Sequence, residues 1–212
     1  MRTLKRRSPV TFETAALKTD QRQNWEIVLS YENEGSGPWL TDLSHKPRWD
    51  LQDSQIDDPS ISGLSVPSTP GDCLLEIKRL INRMNNTQAS IWNLGIEPLP
   101  LPEFNGFTDV TDASIFLALF GPQTFSIAEK MTALDFMDPA KTAPFLLQGP
   151  CCHIPCQVVT LAKQDDMSGG LLLTCSRGYA QSMVHAILDA GSAFGLKPAG
   201  ETRFTDWLQS LS

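Results

Sequence analysis

The sequence predicts an α+β fold: two related half-domains, each an antiparallel sheet with helices packed on it. Three observations lead there. A short motif occurs twice: Thr41-Asp42-Leu43-Ser44 aligns with Thr108-Asp109-Val110-Thr111. Each copy is a polar turn that hands the chain to a strand-like run, Arg48 to Leu51 and Ser114 to Leu119. Between the copies, Glu97-Pro98-Leu99-Pro100-Leu101-Pro102 excludes regular helix and central strand, because proline lacks the N–H donor. The second half then runs strand, helix, strands, helix, the order of an antiparallel α+β sandwich. The expected organisation is a polar, loosely ordered tail over 1–22, a first half-domain over 23–102, a second, ferredoxin-like half-domain over 103–204, and a tail over 205–212.

Element by element, Trp25 to Tyr31 has the β-branched and aromatic content of a strand. Glu32 to Pro38 is a loop by its turn residues, and a strand follows through Arg48 to Gln52. Residues 53–70, rich in Asp, Ser and Pro, read as a long connection outside the core. Leu74 to Ile81 fits a short helix or a strand, and Ala89 to Leu94 alternates as a strand. Ser114 to Phe120 is a strand that Gly121-Pro122 ends. Gln123 to Ala133 starts a helix with Phe125, Ile127, Ala128, Met131 and Leu134 on one face. Val158 to Ala162 and Gly170 to Cys175 are strands around a hairpin-like loop, and Tyr179 to Ala190 is an amphipathic helix ended by Gly191.

Composition bounds the function. With 212 residues, 41% of them hydrophobic, the chain can bury a sizeable core. A net charge of −7 argues against general nucleic-acid binding, which needs a basic surface to release counterions. Arg2, Lys5, Arg6 and Arg7 gather four of the 17 basic side chains at the N-terminus; such a tail can bind RNA or lipid headgroups, but is more often a solubilising end or a peptide for an acidic partner. No apolar stretch is long enough to span a bilayer, and no secretory signal follows Met1, so a cytoplasmic protein with five reduced cysteines is expected.

Several segments together resemble one family. Thr41-Asp42-Leu43-Ser44-His45-Lys46-Pro47-Arg48 resembles the Asp-x-Ser-His-x-x-Arg signature of the glycine-cleavage T-protein (aminomethyltransferase) superfamily. Asp109-Val110-Thr111 with Ala118 to Gln123, and Ala190-Gly191 with Phe194 to Gly200, resemble later segments of the same family. Full T-proteins add a C-terminal barrel, for which this chain has no room. Pro67-Ser68-Thr69-Pro70 and Cys175 to Ala180 resemble segments of the short, barrel-less gamma subunit of heterotetrameric sarcosine oxidase. The resemblance implies larger protein subunits as partners, in an assembly carrying flavin, NAD and folate. The family's catalytic acid pair has no counterpart in Gly71 to Glu76, where Asp72 is the nearest relic. Its pterin-reading glutamate loop is replaced by Lys163 to Gly170, with Asp165-Asp166.

The expected function is therefore a non-catalytic accessory subunit, similar to sarcosine oxidase gamma, in one-carbon or methylated-amine metabolism. The alternative is a stand-alone tetrahydrofolate-binding transferase-like protein using Asp72, Asp165 or Asp166. A third reading takes Cys151, Cys152, His153 and Cys156 as ligands of zinc or an iron–sulfur cluster, against a plain turn leading into the strand at Val158. Arg177, before the last helix, is a candidate for a partner carboxylate or a structural salt bridge. Trp207 is a candidate for docking on another chain, because a terminal aromatic beyond the last turn has little core to enter. His45 reads as a hydrogen-bonded fold element, His185 as half-buried packing within the helix Tyr179 to Ala190, and most of the five tryptophans as core.

Overall fold

The structure, a computed structural model, describes residues 5–58, 63–97, 100, 102, 103 and 105–211. Its strands are β1 (Ala16–Arg22), β2 (Trp25–Tyr31), β3 (Trp39–Asp42), β4 (Arg48–Gln52), β5 (Cys73–Glu76), β6 (Arg79–Asn85) and β7 (Gln88–Asn93). Then follow β8 (Phe107–Asp109), β9 (Ser114–Gly121), β10 (Phe145–Cys151), β11 (Ile154–Lys163), β12 (Gly169–Ser176) and β13 (Lys197–Pro198). The helices are α1 (Thr124–Ala128), α2 (Ala180–Gly191) and α3 (Glu201–Gln209). One sheet has six strands in the order β10-β11-β12-β9-β3-β13, a second has five in the order β5-β6-β7-β4-β8, and β1-β2 is a separate hairpin. The α+β architecture with antiparallel sheets is thus as expected, apart from the short parallel pair β13-β3.

The six-stranded sheet is the middle layer, and strand parity shows it. On β9, Ile115, Leu117 and Leu119 pack with Ile127 of α1 and Met183, Val184 and Ile187 of α2. Its alternate residues Phe116, Ala118 and Phe120 pack with Leu80 and Trp92 of the second sheet and Phe204 and Leu208 of α3. A strand buried on both faces reads as an unbroken apolar run, which is how Ile115 to Phe120 looks. The second sheet turns its other face, with Trp49, Leu51, Ile81, Ile91 and Phe107, toward Ile56 and Leu64.

The repeated motif has a single structural meaning. The Asp42 carboxylate accepts the Ser44 N–H at 2.9 Å, and the Asp109 carboxylate accepts the Thr111 N–H at 2.9 Å, so both copies are the same Asx turn. The first copy carries the chain from the six-stranded to the five-stranded sheet, β3 to β4, and the second carries it back, β8 to β9. The two turns interlock: the Arg48 N–H donates to Thr111 Oγ1 at 3.0 Å, and the Phe116 N–H donates to Ser44 Oγ at 3.1 Å. In consequence the sheets do not divide at residue 102. β3 sits with the later strands and β8 with the earlier ones.

Four local expectations need correction. Part of the tail expected over 1–22 is β1, which pairs with β2, while Arg6 lies over the Trp25 ring and Val10 enters the core. The connection 53–70 is not outside the core, because Ile56 and Leu64 cover the second sheet. The helix expected over Gln123 to Ala133 stops at Ala128. There Lys130 and Met131 tighten to i→i−3 bonds, and the Met131 carbonyl accepts the Cys152 N–H at 2.8 Å. The tail expected from 205 belongs to α3, held by Phe204 and Leu208 in the inter-sheet core. Pro98, Leu99 and Leu101 of the expected boundary lie outside the described residues.

Candidate functional site

Where the two sheets diverge, a cleft of about 520 Å³ opens between them. It is the polar continuation of the inter-sheet core. One rung of the six-stranded sheet, Leu146–Val159–Leu172–Ala118, is wholly apolar and buried. Two residues further along on the same face, Gln148 pairs with Gln157 and Gln157 with Thr174, so the surface turns to amide and hydroxyl. The opposing sheet changes in step, from Trp92 to Ser90 to Gln88 along β7 and from Arg48 to Asp50 along β4.

Among the described residues the cleft is lined by one carboxylate, Asp50, amid amides and hydroxyls. Gln88 Nε2 donates to both Asp50 oxygens at 2.9 Å, and Gln52 Nε2 adds a bond at 3.0 Å. Gln148 Nε2 donates to the Met84 carbonyl at 3.0 Å. Arg48, at the inner end, is fully buried and has no carboxylate within ion-pair distance among the described residues. Its guanidinium donates to the carbonyls of Ser44, Lys46, Thr111 and Ser114 at 3.3, 2.8, 2.6 and 2.8 Å. Burial lowers its pKa to about 10, against the pull of Asp42, Asp109 and Asp112. Arg48 is therefore the clamp that locks the two crossings together, and its charge is fully coordinated by the scaffold.

The rest of the resemblance signature is structural in the same way. His45 Nε2 lies 3.2 Å from Glu201 Oε1, and Lys46 Nζ lies 2.7 Å from the same oxygen. Lys46 also donates to the Gly95 carbonyl at 2.8 Å, and Arg22 pairs with the other Glu201 oxygen and with Asp20. Burial alone would raise the Glu201 carboxyl. The His45 hydrogen bond, the Lys46 charge and Arg22 outweigh it and hold the group well below the ordinary range. Burial, helped by the Lys46 charge, lowers the His45 pKa against the pull of Glu201. This knot fastens the first crossing to the start of α3.

The sequence-predicted site residues are dispersed. Asp72 is exposed and lines a shallow hollow with Ser65 to Ser68, Thr142 and Pro144. Asp165 lines a separate surface groove, and Asp166 caps its own turn by accepting the Ser168 N–H at 3.0 Å. None of the three lines the inter-sheet cleft. Arg177 donates to the Arg7 carbonyl at 2.8 Å and sits 3.9 Å from Asp112, tying the N-terminal segment to the turn before β9. Trp207, expected as a docking aromatic, packs inward. Its ring centroid is 5.1 Å from Phe120 and 6.1 Å from Phe204, and it covers Gly170.

Cys152 and His153 form the two-residue β10–β11 turn, at φ 49° and 65°, with His153 exposed at its tip. Cys151 and Cys156 face the helix-covered core, alongside Cys175 of β12. A hydrogen bond shared with Cys156, then burial, holds the Cys151 thiol far above the usual range. Among the described residues, no three His, Cys, Asp or Glu side chains gather as a metal site.

Sequence reasoning missed Asp50, Gln88, Gln148, Gln157 and Glu201. The cleft residues are ordinary polar positions spread over several strands. The signal in them is a same-face switch from apolar to polar, visible only once the strands are aligned.

No family model matches the chain, and no curated protein matches it. Structural likeness is found to a chain of the heterotetrameric sarcosine oxidase from Corynebacterium sp. U-96, solved with pyrrole 2-carboxylate. The identity is 14%, with 73% of this chain and 84% of that one covered at a TM-score of 0.61. It is also found to the glycine cleavage system aminomethyltransferase T from Bartonella henselae, at 13% identity and a TM-score of 0.52. That match covers 89% of this chain and 57% of the aminomethyltransferase, so this chain spans little more than half of that protein's length. Among the described residues no helix is long and apolar enough to cross a membrane. At these identities the likeness is one of fold, and the fold is T-protein-like.

Proposed function

We propose that this chain is an accessory subunit, with no chemistry of its own, of a larger oxidoreductase complex in one-carbon or methylated-amine metabolism. The observation that carries this reading is where the signature residues are held. Arg48, His45 and Lys46 are all engaged inside the chain, on carbonyls and Glu201. These contacts brace the fold. The fold match over 84% of a chain from a heterotetrameric oxidase supports the same reading. Five free thiols support a reducing, cytoplasmic setting. Affinity purification of the tagged chain from its native cells tests it. The expected result is a stoichiometric complex with larger subunits, whose oxidase activity falls when this chain is withdrawn. A chain that purifies alone, with full oxidase activity in its absence, overturns the reading.

A second reading, a tetrahydrofolate-binding protein, is favoured by one observation: the polar rung Gln148–Gln157–Thr174 in the inter-sheet cleft. Isothermal titration with tetrahydrofolate separates the two. Micromolar binding that is lost in Gln157→Leu supports the folate reading, and no binding leaves the accessory role as the function.

A further inference from the structure

The β5–β6 hairpin combines two features that local folding does not explain. Its turn residues are Ile77 and Lys78, at φ 45° and 66°, between the paired Glu76 and Arg79. Such turns favour Asn and Gly, and Ile77 is the one β-branched residue at positive φ among the described residues. Burial does not compensate, because Ile77 is 101% exposed. The isoleucine's positive φ costs the free chain stability, and no burial offsets it; such outliers cluster where a surface has work to do.

The surroundings suit a protein ligand. A groove of about 1030 Å³ runs beside this turn, between the hairpin, the segment before β10, and the ends of β11 and α3. Leu75, Ile77, Met137 and Leu211 supply apolar lining, and Leu75 and Leu211 are each 40% exposed. Three lysines, Lys78, Lys141 and Lys163, stand on the same groove with one carboxylate, Asp165. Lys163 Nζ donates to the Asp138 carbonyl at 2.6 Å, and Lys141 and Lys163 lie over the Phe145 ring. Among the described residues none of the three has a carboxylate within ion-pair distance. In a chain of net charge −7 this is a local positive rim around an apolar floor.

We infer that this groove docks an acidic segment of a partner protein, anchored by apolar contact with Ile77 and held by the three lysines. The inference rests on the accessory-subunit reading and names its surface. An apolar anchor ringed by charge is the usual division of labour at interfaces, in which the anchor holds affinity and the rim guides encounter.

The test uses the full chain in the complex it forms with its larger partners. Hydrogen exchange compares free and bound chain, and protection is expected over 73–79, 137–143 and 208–211. A photo-cross-linking amino acid in place of Ile77 is expected to join a partner segment in which Asp or Glu flank apolar residues. Ile77→Asp, and separately the triple change Lys78→Glu, Lys141→Glu, Lys163→Glu, are expected to weaken assembly at least about tenfold. The triple variant also loses the salt dependence shown by the wild type. Ile77→Asn with Lys78→Gly suits the turn better, so its melting temperature holds or rises while assembly is lost, which separates docking from folding. A complex with the groove unprotected, and with all variants assembling normally, overturns this inference alone. Cross-links only to a second copy of this chain overturn it in favour of self-association. A wild-type chain without any stable partner overturns both this inference and the accessory role.

Discussion

Lys46 Nζ lies 2.7 Å from Glu201 Oε1, with the two side chains only 1% and 2% exposed. The pair joins the first sheet crossing to the first turn of α3. Breaking a buried pair leaves an uncompensated charge, whereas replacing both partners with apolar groups costs far less. Glu201→Leu is therefore expected to destabilise the chain by about 3–5 kcal/mol, and adding Lys46→Met is expected to recover part of that loss. Denaturant unfolding of the four members of this cycle measures it. Simple additivity would mean that the two side chains are not coupled.

The same knot sets the acid limb of stability. Folding holds the Glu201 carboxyl well below its ordinary value of 4.5. The unfolded chain then takes up the proton more readily, so this contribution is complete above about pH 4.5 and is lost as pH falls through the folded value. His45, lowered from 6.5 by burial, adds a slope of the same sign that begins below about pH 6.5. Melting temperatures from pH 8 to pH 3 are expected to fall steadily on the acid side. In Glu201→Leu the part below pH 4.5 is expected to flatten. An unchanged acid limb in that variant would contradict the assignment.

Trp207 is expected to behave as core. A Cβ added at Gly170 would meet the Trp207 ring at 2.0 Å, and the ring also packs on Phe120, the strand partner of Gly170, and on Phe204. Gly170→Ala should cost about 1–3 kcal/mol through overpacking. Trp207→Ala should cost about 2–4 kcal/mol, because a large buried contact area is lost. Thermal unfolding followed by tryptophan fluorescence checks both. A Trp207→Ala variant as stable as the parent would return this residue to a docking role.

Thiol chemistry at Cys151 and Cys156 should be slow in the native state. The reactive species is the thiolate, and the Cys151 and Cys156 thiols are both pushed up, Cys156 to about 12. At pH 8 a thiol reagent is expected to leave Cys151 and Cys156 unmodified until the chain unfolds, after which all five cysteines react. Mass spectrometry of the modified chain reads this out. Rapid native modification of Cys151 would show that the core over it opens.

Much of the strand pattern was legible in the sequence because it is local. Trp25 to Tyr31, Ala89 to Leu94 and Ser114 to Phe120 carry the apolar, β-branched and aromatic side chains that favour strands. β1 escaped notice because Ala16 to Gln21 bury no side chain, and the strand exists only through its backbone pairing with β2. β10 was not expected from the sequence; its Gly149 and Pro150 lie toward the end of a strand on the sheet edge, where proline is tolerated. The cleft was illegible for a different reason. Asp50, Gln88, Gln148 and Gln157 have no distinctive spacing, and they converge only because two sheets face each other.

By itself the sequence determined what depends on neighbours within a few residues. The alternations that make strands, the amphipathic stripe of α2, and the Asx turns at Asp42 and Asp109 are all of this kind. Tertiary structure alone decided that the two turns interlock as sheet crossings, that Glu201 collects Lys46, His45 and Arg22, and that Ile77 stands over a lysine-rimmed groove. The physical reason is range. A turn or a strand is written in side chains next to one another, whereas a buried ion pair or a cleft is formed by groups far apart in the chain. Their meeting is set by how the sheets stack and not by any local pattern.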